Sequence, residues 1–549
     1  MQTQLIEVDP LLPIQEAAER AMEQQADLVG FPRGNQRFVA HRDDLSKMTA
    51  MGLATLPVEC IAVPESSPLL QSDRAGLKAS ENYSRRLTNY FPVYFVAAMY
   101  ELQSLMQRFE VKAYVIGGIT RDLLLFQEKR LAVKDVDITL EGDAQAFTQF
   151  LTENSRNFVV EEQFPEFGTA KVRYKESLLF DFASTRQEIY PNCGALPVVV
   201  SRGVPLGNDI IRRDFTVNSL AFSIHELGQV LDYSNGMRDV QMRQLRVLHP
   251  VSFFEDPSRI VRAMKFGARF NFELGEETLG LLKQFLRYGG ICYKGGGERI
   301  KQEIKGFLGA AESEAKSRWI RFFMEEGCYR LINMESGYQP TPETLERLSR
   351  ISTVLPEIET TLSNYMQPDF LFDTYLCFLC RDMPDDEFQK TEDRLGLTRN
   401  EREFTEQYRR VKEKVGAQFA KLHDFTSPAE IYDLFHGLHF ITVVACLVEL
   451  GLEDRKHMRT VLEALLKYKR KWEKMTLSLN GNDLIELGVP KGKQIGQVLD
   501  QLLHVKLAGQ LPDRLDEVQF VQTLLEKEAA QANKQTEGLF SALETPDAS

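Results

Sequence analysis

The chain has 549 residues, too many for one hydrophobic core, with 43% apolar residues and a formal net charge of −13. That composition excludes a disordered chain, and the acidic balance excludes indiscriminate binding along nucleic acid, while leaving a local basic face open to it. The seven cysteines are scattered and odd in number, which excludes a disulfide framework and fits a reducing, cytoplasmic compartment.

No secretory signal or arginine-rich transit peptide is read in MQTQLIEVDP. The longest apolar stretch, FITVVACLVELG, contains Glu449 and is too short to span a bilayer, so no membrane role is expected. Residues 1–92 read as a small α/β accessory segment. Within it, PIQEAAERAMEQQADLVGFPRGNQRFVAHRDDLSKMTAMGL weakly resembles one repeat of a cystathionine-β-synthase-type regulatory domain, although such repeats come in pairs and one is found.

From 93 to 245 helix and strand alternate. The pattern predicts a helix over VYFVAAMYELQSLMQRF, a strand AYVIGG, a helix from Arg121, a strand DVDITL and a helix AQAFTQFLTEN. Strands NFVVEE, TAKVRY and LLFDFAS follow, then a helix in RRDFTVNSLAF and a strand QVLDYS. Beyond 250 the periodicity is almost wholly helical, interrupted at CYKGGGER and LGVPKGKQIG, with a polar, frayed end. Cys377 and Cys380 form a lone CxxC in apolar YLCFLC and are expected to be buried helix cysteines. The stretch 455–474 holds eight Lys or Arg against two Glu, which fits either an RNA-facing patch or a solvated helix face.

Four motifs carry chemistry. In DVDITL, Asp135 and Asp137 project to one face of a strand, roughly 6–7 Å apart along the backbone. Paired hard carboxylates suit Mg²⁺, which keeps sites open for water and phosphate oxygens. Asp181 in LLFDFAS can complete a two-metal site from a neighbouring strand. Alone, a DxD fits the end of a surface strand equally well. The preceding GGITRD changes that balance: Gly117 and Gly118 lie between a strand and a helix, so bare N–H groups and a helix start form an anion site, within reach of Arg121. In RRDFTVNSLAF, Asp214 and Asn218 are spaced to share a helical face. Arg212 and Arg213 would stand at that helix's start, a position that calls for an anion or a neighbouring aspartate to compensate. In FFEDPSRIVRAMKFGARF, Asp256 is a good N-cap before Pro257, with Arg259 and Arg262 three and six residues on. An Asp beside an Arg offers an acceptor next to a donor, matching the edges of cytosine and adenine and mismatching those of uracil and guanine. An N-cap with an intrahelical ion pair is the structural alternative.

In this order and spacing the motifs resemble the class II tRNA nucleotidyltransferases, or CCA-adding enzymes, and the related bacterial poly(A) polymerases. The resemblance runs from about 111 to 304 and includes LDYSNGMRDVQMRQLRVL and GGERIKQEI. It continues more weakly to LNGNDLIELGVPKGKQIGQVLDQLL. It implies an α+β chain: a DNA polymerase β-type nucleotidyltransferase head (93–245) followed by an all-helical neck (246–310), RNA-binding body (311–475) and tail (476–549). It further implies that Asp135 and Asp137 hold the catalytic Mg²⁺ ions, with Asp181 as a third carboxylate. Gly117, Gly118, Arg121, Arg213 and Asn218 would serve the nucleotide, while Asp256 and Arg259 read its base, with Arg262 beside them. Lys265 stands where many members carry another nucleotide-contacting arginine, which keeps charge but loses a fork.

The expected reaction is attack of the 3′-hydroxyl of tRNA on the α-phosphate of CTP or ATP, with release of pyrophosphate, in the cytoplasm and with no protein partner implied. A poly(A) polymerase is the nearest alternative. No GRRF-like basic run appears between the first two motifs, and FPEFGTAKVRYKESLLFDFASTRQEIYPNCGALP looks more like the tRNA-specific branch. The presence of Asp135, Asp137 and Arg121 argues against a dead scaffold that only binds RNA. The long helical half argues against a small-molecule transferase. His423-Asp424 is read as a loop, not as a second metal site.

Overall fold

A computed structural model describes residues 4–70, 79–125, 133–175, 178–289, 296–310, 313–332, 338–423 and 426–543. Asp424 lies outside them. The chain divides into two units, one formed by 1–339 with 384–397 and the other by 340–383 with 398–549.

In the first unit, β1 (Leu5–Glu7), α1 (Ile14–Glu23), β2 (Leu28–Arg33), β3 (Gln36–His41), α2 (Arg42–Ala50) and β4 (Val63–Pro64) build a four-stranded sheet in the order β1-β2-β3-β4. Helix α1 buries Ile14, Ala17, Ala18 and Ala21, an i, i+3, i+4, i+7 stripe that fixes its inward face.

The head follows: β5 (Ala79–Asn82), α3 (Ser84–Tyr90), α4 (Val93–Phe109), β6 (Ala113–Ile116), α5 (Gly118–Leu125), β7 (Asp135–Leu140), α6 (Ala144–Asn154), β8 (Phe158–Phe164), β9 (Thr169–Tyr174) and β10 (Leu178–Ser184). Next come β11 (Arg186–Ile189), β12 (Val198–Arg202), α7 (Leu206–Ile211), β13 (Ala221–Ser223), β14 (Gln229–Asp232) and α8 (Gly236–Met242). Eight strands form one sheet in the order β5-β14-β13-β6-β7-β10-β9-β8, so the head sheet begins with β5, ahead of residue 93. Strands β7 and β10 are parallel, while β6 and β9 flank them antiparallel. Phe147 of α6 packs on Phe182, which joins Phe158, Tyr174 and Phe180 ring against ring on the sheet.

Most expected elements stand where the periodicity put them. The helix expected in RRDFTVNSLAF does not form. Helix α7 ends at Ile211, Thr216–Asn218 make a single 3₁₀ turn, and β13 begins at Ala221. Every residue from Asp214 to Ser223 is buried, so there is no solvent face to support an amphipathic helix. The Asp214 carboxylate also accepts the Phe215 N–H at 2.8 Å, an alternative to a helical bond. Arg212 and Arg213 therefore stand at the C-terminal end of a helix, where the dipole favours cations, and not at a helix start. The β11–β12 hairpin was not anticipated.

In and around the expected neck (246–310) lie β15 (Gln244–Leu245), α9 (Ser252–Glu255), α10 (Ser258–Phe270), β16 (Glu273–Leu274), α11 (Glu276–Tyr288), α12 (Gly297–Leu308) and, beyond it, α13 (Glu314–Glu325). Helix α10 meets α13 at Gly267, where an added Cβ would lie 2.1 Å from the Trp319 ring. The N-terminal sheet is tied to α11 by Ser67 Oγ to Glu277 Oε2 at 2.6 Å and by Tyr288 to Glu59.

The second unit is helical: α14 (Pro342–Leu362), α15 (Phe370–Leu379), then, after α16 (Asp385–Leu395) of the first unit, α17 (Arg399–Phe419), α18 (Pro428–Phe435), α19 (Phe440–Glu453), α20 (Arg455–Lys467), α21 (Gly481–Glu486), α22 (Lys493–Leu507) and α23 (Arg514–Leu543). Cys377 and Cys380 are buried in and beside α15, as expected. Of the basic stretch, Arg455 and Arg459 pair with Glu357, and Lys469 pairs with Glu473, while Met458, Val461, Leu462 and Leu465 face inward. No single helix among the described residues is long and apolar enough to cross a membrane.

Candidate nucleotide site

Strand β7 carries Asp135 and Asp137 on one face, both exposed, and Asp181 on β10 is the direct register partner of Asp137. The antiparallel register of β6 with β7 brings the end of β6, and with it Gly117, to the end of the sheet where β7 begins. Glycine turn and carboxylates thus meet at one sheet end. The carboxyl of Asp137 is raised above the ordinary carboxylate value by loss of water and by Asp181, against the lowering pull of Arg213. Asp181 is raised as well, through partial burial first, with Lys171 opposing and Asp135 adding repulsion. Among the described residues no three carboxylate, histidine or cysteine side chains converge tightly enough to form a closed metal cage. The set is an open pair of hard oxygen donors with a third carboxylate alongside, which is chemistry suited to a cation that retains water or phosphate ligands.

Gly117 has φ +81°, and a Cβ there would meet open space, so only backbone conformation demands glycine. Helix α5 begins at the next residue, earlier than expected. Arg121 is not displayed at this turn. It is 4% exposed, packed 4.1 Å from the Phe270 ring centroid, and donates to Asp122 Oδ1 and, at 2.8 Å, to Asn218 Oδ1. A Cβ on Gly118 would nonetheless lie 3.5 Å from Arg121 Nη2, so the guanidinium sits directly under the turn.

From Arg121 a hydrogen-bonded chain runs to the neck. Asn218 Nδ2 donates to Asp214 Oδ1 at 3.1 Å. Asp214 Oδ2 receives Arg262 through Nε (2.9 Å) and Nη2 (2.6 Å), and Arg262 Nη1 continues to Glu303 at 3.1 Å. Burial alone would raise Asp214, but Arg262 and Asn218 outweigh it and hold the carboxyl below the ordinary value. Asp214 and Asn218 are therefore coupled as anticipated, by a turn and not by a helix. Arg213 donates to Asp209 Oδ2 at 2.8 Å, and Arg212 donates to Asp209 Oδ1. The compensating anion for these arginines is thus Asp209, one turn upstream. The buried Nε of Arg213 has no hydrogen-bond partner among the described residues.

Asp256 caps α10, accepting from Ser258 N (3.1 Å) and Oγ (2.6 Å). Its expected partner differs. Arg259 is 3% exposed, and its donors go to Ser252 Oγ, Glu255, Tyr190 OH and the Arg212 carbonyl, while Asp256 pairs with Arg299 of α12. Sequence reasoning missed Arg299 as a site residue, although GGERIKQEI contains it. The signal is the Arg299–Glu303 spacing, opposite charges one helical turn apart. Lys265 Nζ bonds to Glu303 at 3.3 Å.

The model of the poly A polymerase head domain matches residues 113–246, the span holding the carboxylates and the glycine turn. The chain is 33% identical over 395 residues to an A-adding tRNA nucleotidyltransferase of Aquifex aeolicus, an alignment covering 71% of this chain and 44% of that protein; the chain thus spans less than half the length of that relative. Among solved structures, the apo form II of a CCA-adding enzyme matches with TM-score 0.67 and 26% identity, over 81% of this chain and 100% of that one. The Thermotoga maritima CCA-adding enzyme complexed with tRNA matches with TM-score 0.63 and 26% identity, over 82% and 100%. The chain thus carries a poly A polymerase head domain over residues 113–246 and, through the helical remainder as well, is similar to the CCA-adding enzymes.

Proposed function

We propose that this chain adds C, A or both to the 3′ end of tRNA, using CTP and ATP and releasing pyrophosphate, in the cytoplasm. The observation that carries the reading is the meeting of Gly117, the start of α5 and the carboxylates of Asp135, Asp137 and Asp181 at one end of the head sheet. Backbone N–H groups at Gly117 and Gly118, with the Arg121 charge beneath them, take the triphosphate. Arg213, beside Asp137, steadies the charge that develops on the phosphate. Asp135 and Asp137 would hold Mg²⁺, which would supply Lewis-acid activation and charge neutralisation for the transfer. Asp256 accepts from the exocyclic amine of cytosine or adenine, Arg259 lies behind it, and Arg262 with Asn218 keeps the reading helix in register with the phosphate turn. No side chain acts as a nucleophile. Positioning and charge stabilisation carry the rate.

The test offers purified protein, Mg²⁺ and tRNA transcripts lacking CCA, ending in one C and ending in CC, each with CTP, ATP or both. Extension that stops once the missing residues are restored supports the reading, and the gel shows which of C and A this chain adds. Long adenosine ladders on unrelated RNA would make it a poly(A) polymerase and overturn the tRNA assignment.

A further inference from the structure

Helix α12 presents Arg299 and Glu303 on one face toward α10. Glu303 takes Arg262 and Lys265, whereas Arg299 Nη2 donates to Asp256 Oδ2. The other oxygen of Asp256 is filled by Ser258, through both N–H and hydroxyl. The carboxylate is thus pinned at both ends, and Arg299 is the only side chain bonded to Oδ2 among the described residues. That oxygen keeps a second lone pair, so it can accept a further N–H without releasing the arginine. The Arg299 side chain is 35% exposed and that of Asp256 11%, which puts the arginine on the solvent side of the pair.

We propose that Arg299 is a positioning residue for nucleotide choice: it fixes the orientation of the Asp256 carboxylate, so that Oδ2 is aimed as an acceptor at the incoming base. This inference rests on the base-reading role given to Asp256 above. The chemistry follows from what a carboxyl does without the arginine. Freed at Oδ2, it can rotate away from the amino edge of cytosine or adenine, and an acceptor that is no longer aimed discriminates less against uracil and guanine.

The experiment measures kcat and KM for whichever of CTP or ATP the protein incorporates, and for its rejected counterpart UTP or GTP, on matched tRNA transcripts. Parent, Arg299→Ala, Arg299→Lys and Asp256→Ala are compared. Arg299→Ala is expected to reduce the preference by roughly tenfold or more, mainly through KM, as loss of a charge-assisted hydrogen bond implies. Arg299→Lys restores most of that preference, because it keeps a cationic donor. If Asp256→Ala relaxes the choice while Arg299→Ala keeps the parent preference, the inference is wrong. If Asp256→Ala also keeps it, the base-reading assignment itself fails. Should Arg299→Ala fail to fold by thermal melting, Arg299→Gln against Arg299→Lys decides: equal preferences in the two overturn the proposal.

Discussion

Replacing Asp214 by alanine removes the acceptor at the centre of the chain that joins the glycine turn to the neck. Four contacts disappear: two from Arg262, one from Asn218 and one from the Phe215 N–H. They are not equal. The Arg262 side chain is 36% exposed and keeps Glu303, so water replaces part of what it loses, and its share falls to about 1 kcal/mol. The Phe215 N–H and the Asn218 amide are buried, and stranding buried donors costs about 1–3 kcal/mol each. The three losses share one network and do not add fully, so the expected destabilisation is about 3 kcal/mol. Urea unfolding followed by tryptophan fluorescence reads it, since Trp319 lies in the same unit. Combined with Arg262→Ala, the variant should show a coupling of about 1 kcal/mol or more, as expected for residues in direct contact. A cost below about 1 kcal/mol with no coupling would mean that head and neck are held by apolar packing alone, and the wiring argument would fail.

Asp137→Asn should abolish nucleotidyl transfer yet stabilise the metal-free protein. A carboxyl with a raised folded pKa favours folding below its unfolded value and loses that contribution as pH rises through the folded one, so at neutral pH the ionised group is a burden that a cation relieves. Melting with and without MgCl₂ should accordingly show a larger Mg²⁺ shift at pH 8 than at pH 5 in the parent and little shift in the variant; equal shifts in both proteins would refute it. Gly117→Ala should cost about 1–2 kcal/mol from positive φ alone, because a methyl meets no neighbour, and should raise KM for the nucleotide; an unchanged melting temperature would count against the strained turn. Gly267→Ala drives a methyl into Trp319 and should destabilise by about 1–3 kcal/mol with a shifted tryptophan emission, whereas a neutral effect would show that α10 and α13 can part freely.

What could be read from the sequence follows from how local its causes are. Strands β7, β9 and β10 and helices α4 and α6 carry their own periodicity, so DVDITL, TAKVRY, LLFDFAS, VYFVAAMYELQSLMQRF and AQAFTQFLTEN show their limits directly. The segment around Asp214 does not, because burial on all sides erases the period and an aspartate bonds its own neighbour's N–H. The same boundary decides the site. Residue types and spacing exposed the carboxylate pair, the glycine turn and the cap at Asp256, all built within a few residues. They could not show that Arg121 and Arg259 are buried, nor that the partner of Asp256 lies 43 residues away on α12. Partner choice between helices depends on how α10 and α12 pack, and no local pattern encodes that.

The arginines and aspartates of this site are arranged in opposite ways, and the contrast bears on what the site is built to receive. Each candidate arginine is already paired: Arg121 with Asp122, Arg213 with Asp209, Arg259 with Glu255 and Arg262 with Asp214. These pairings hold the cations in place before any ligand arrives, at the expense of their free positive charge. Asp137 and Asp181 are crowded by like charge and raised by lost water, with Arg213 and Lys171 only partly opposing. The exposed edge of the site therefore favours a cation, while the glycine turn and the orphaned Nε of Arg213 favour an anion just behind it. A metal–nucleotide complex presents both signs in that arrangement, whereas free metal or free nucleotide satisfies only one side. Under the base-reading role proposed for Asp256, the same asymmetry accounts for its pairing with Arg299: a base edge is neutral, and recognising it needs a fixed acceptor, not spare charge.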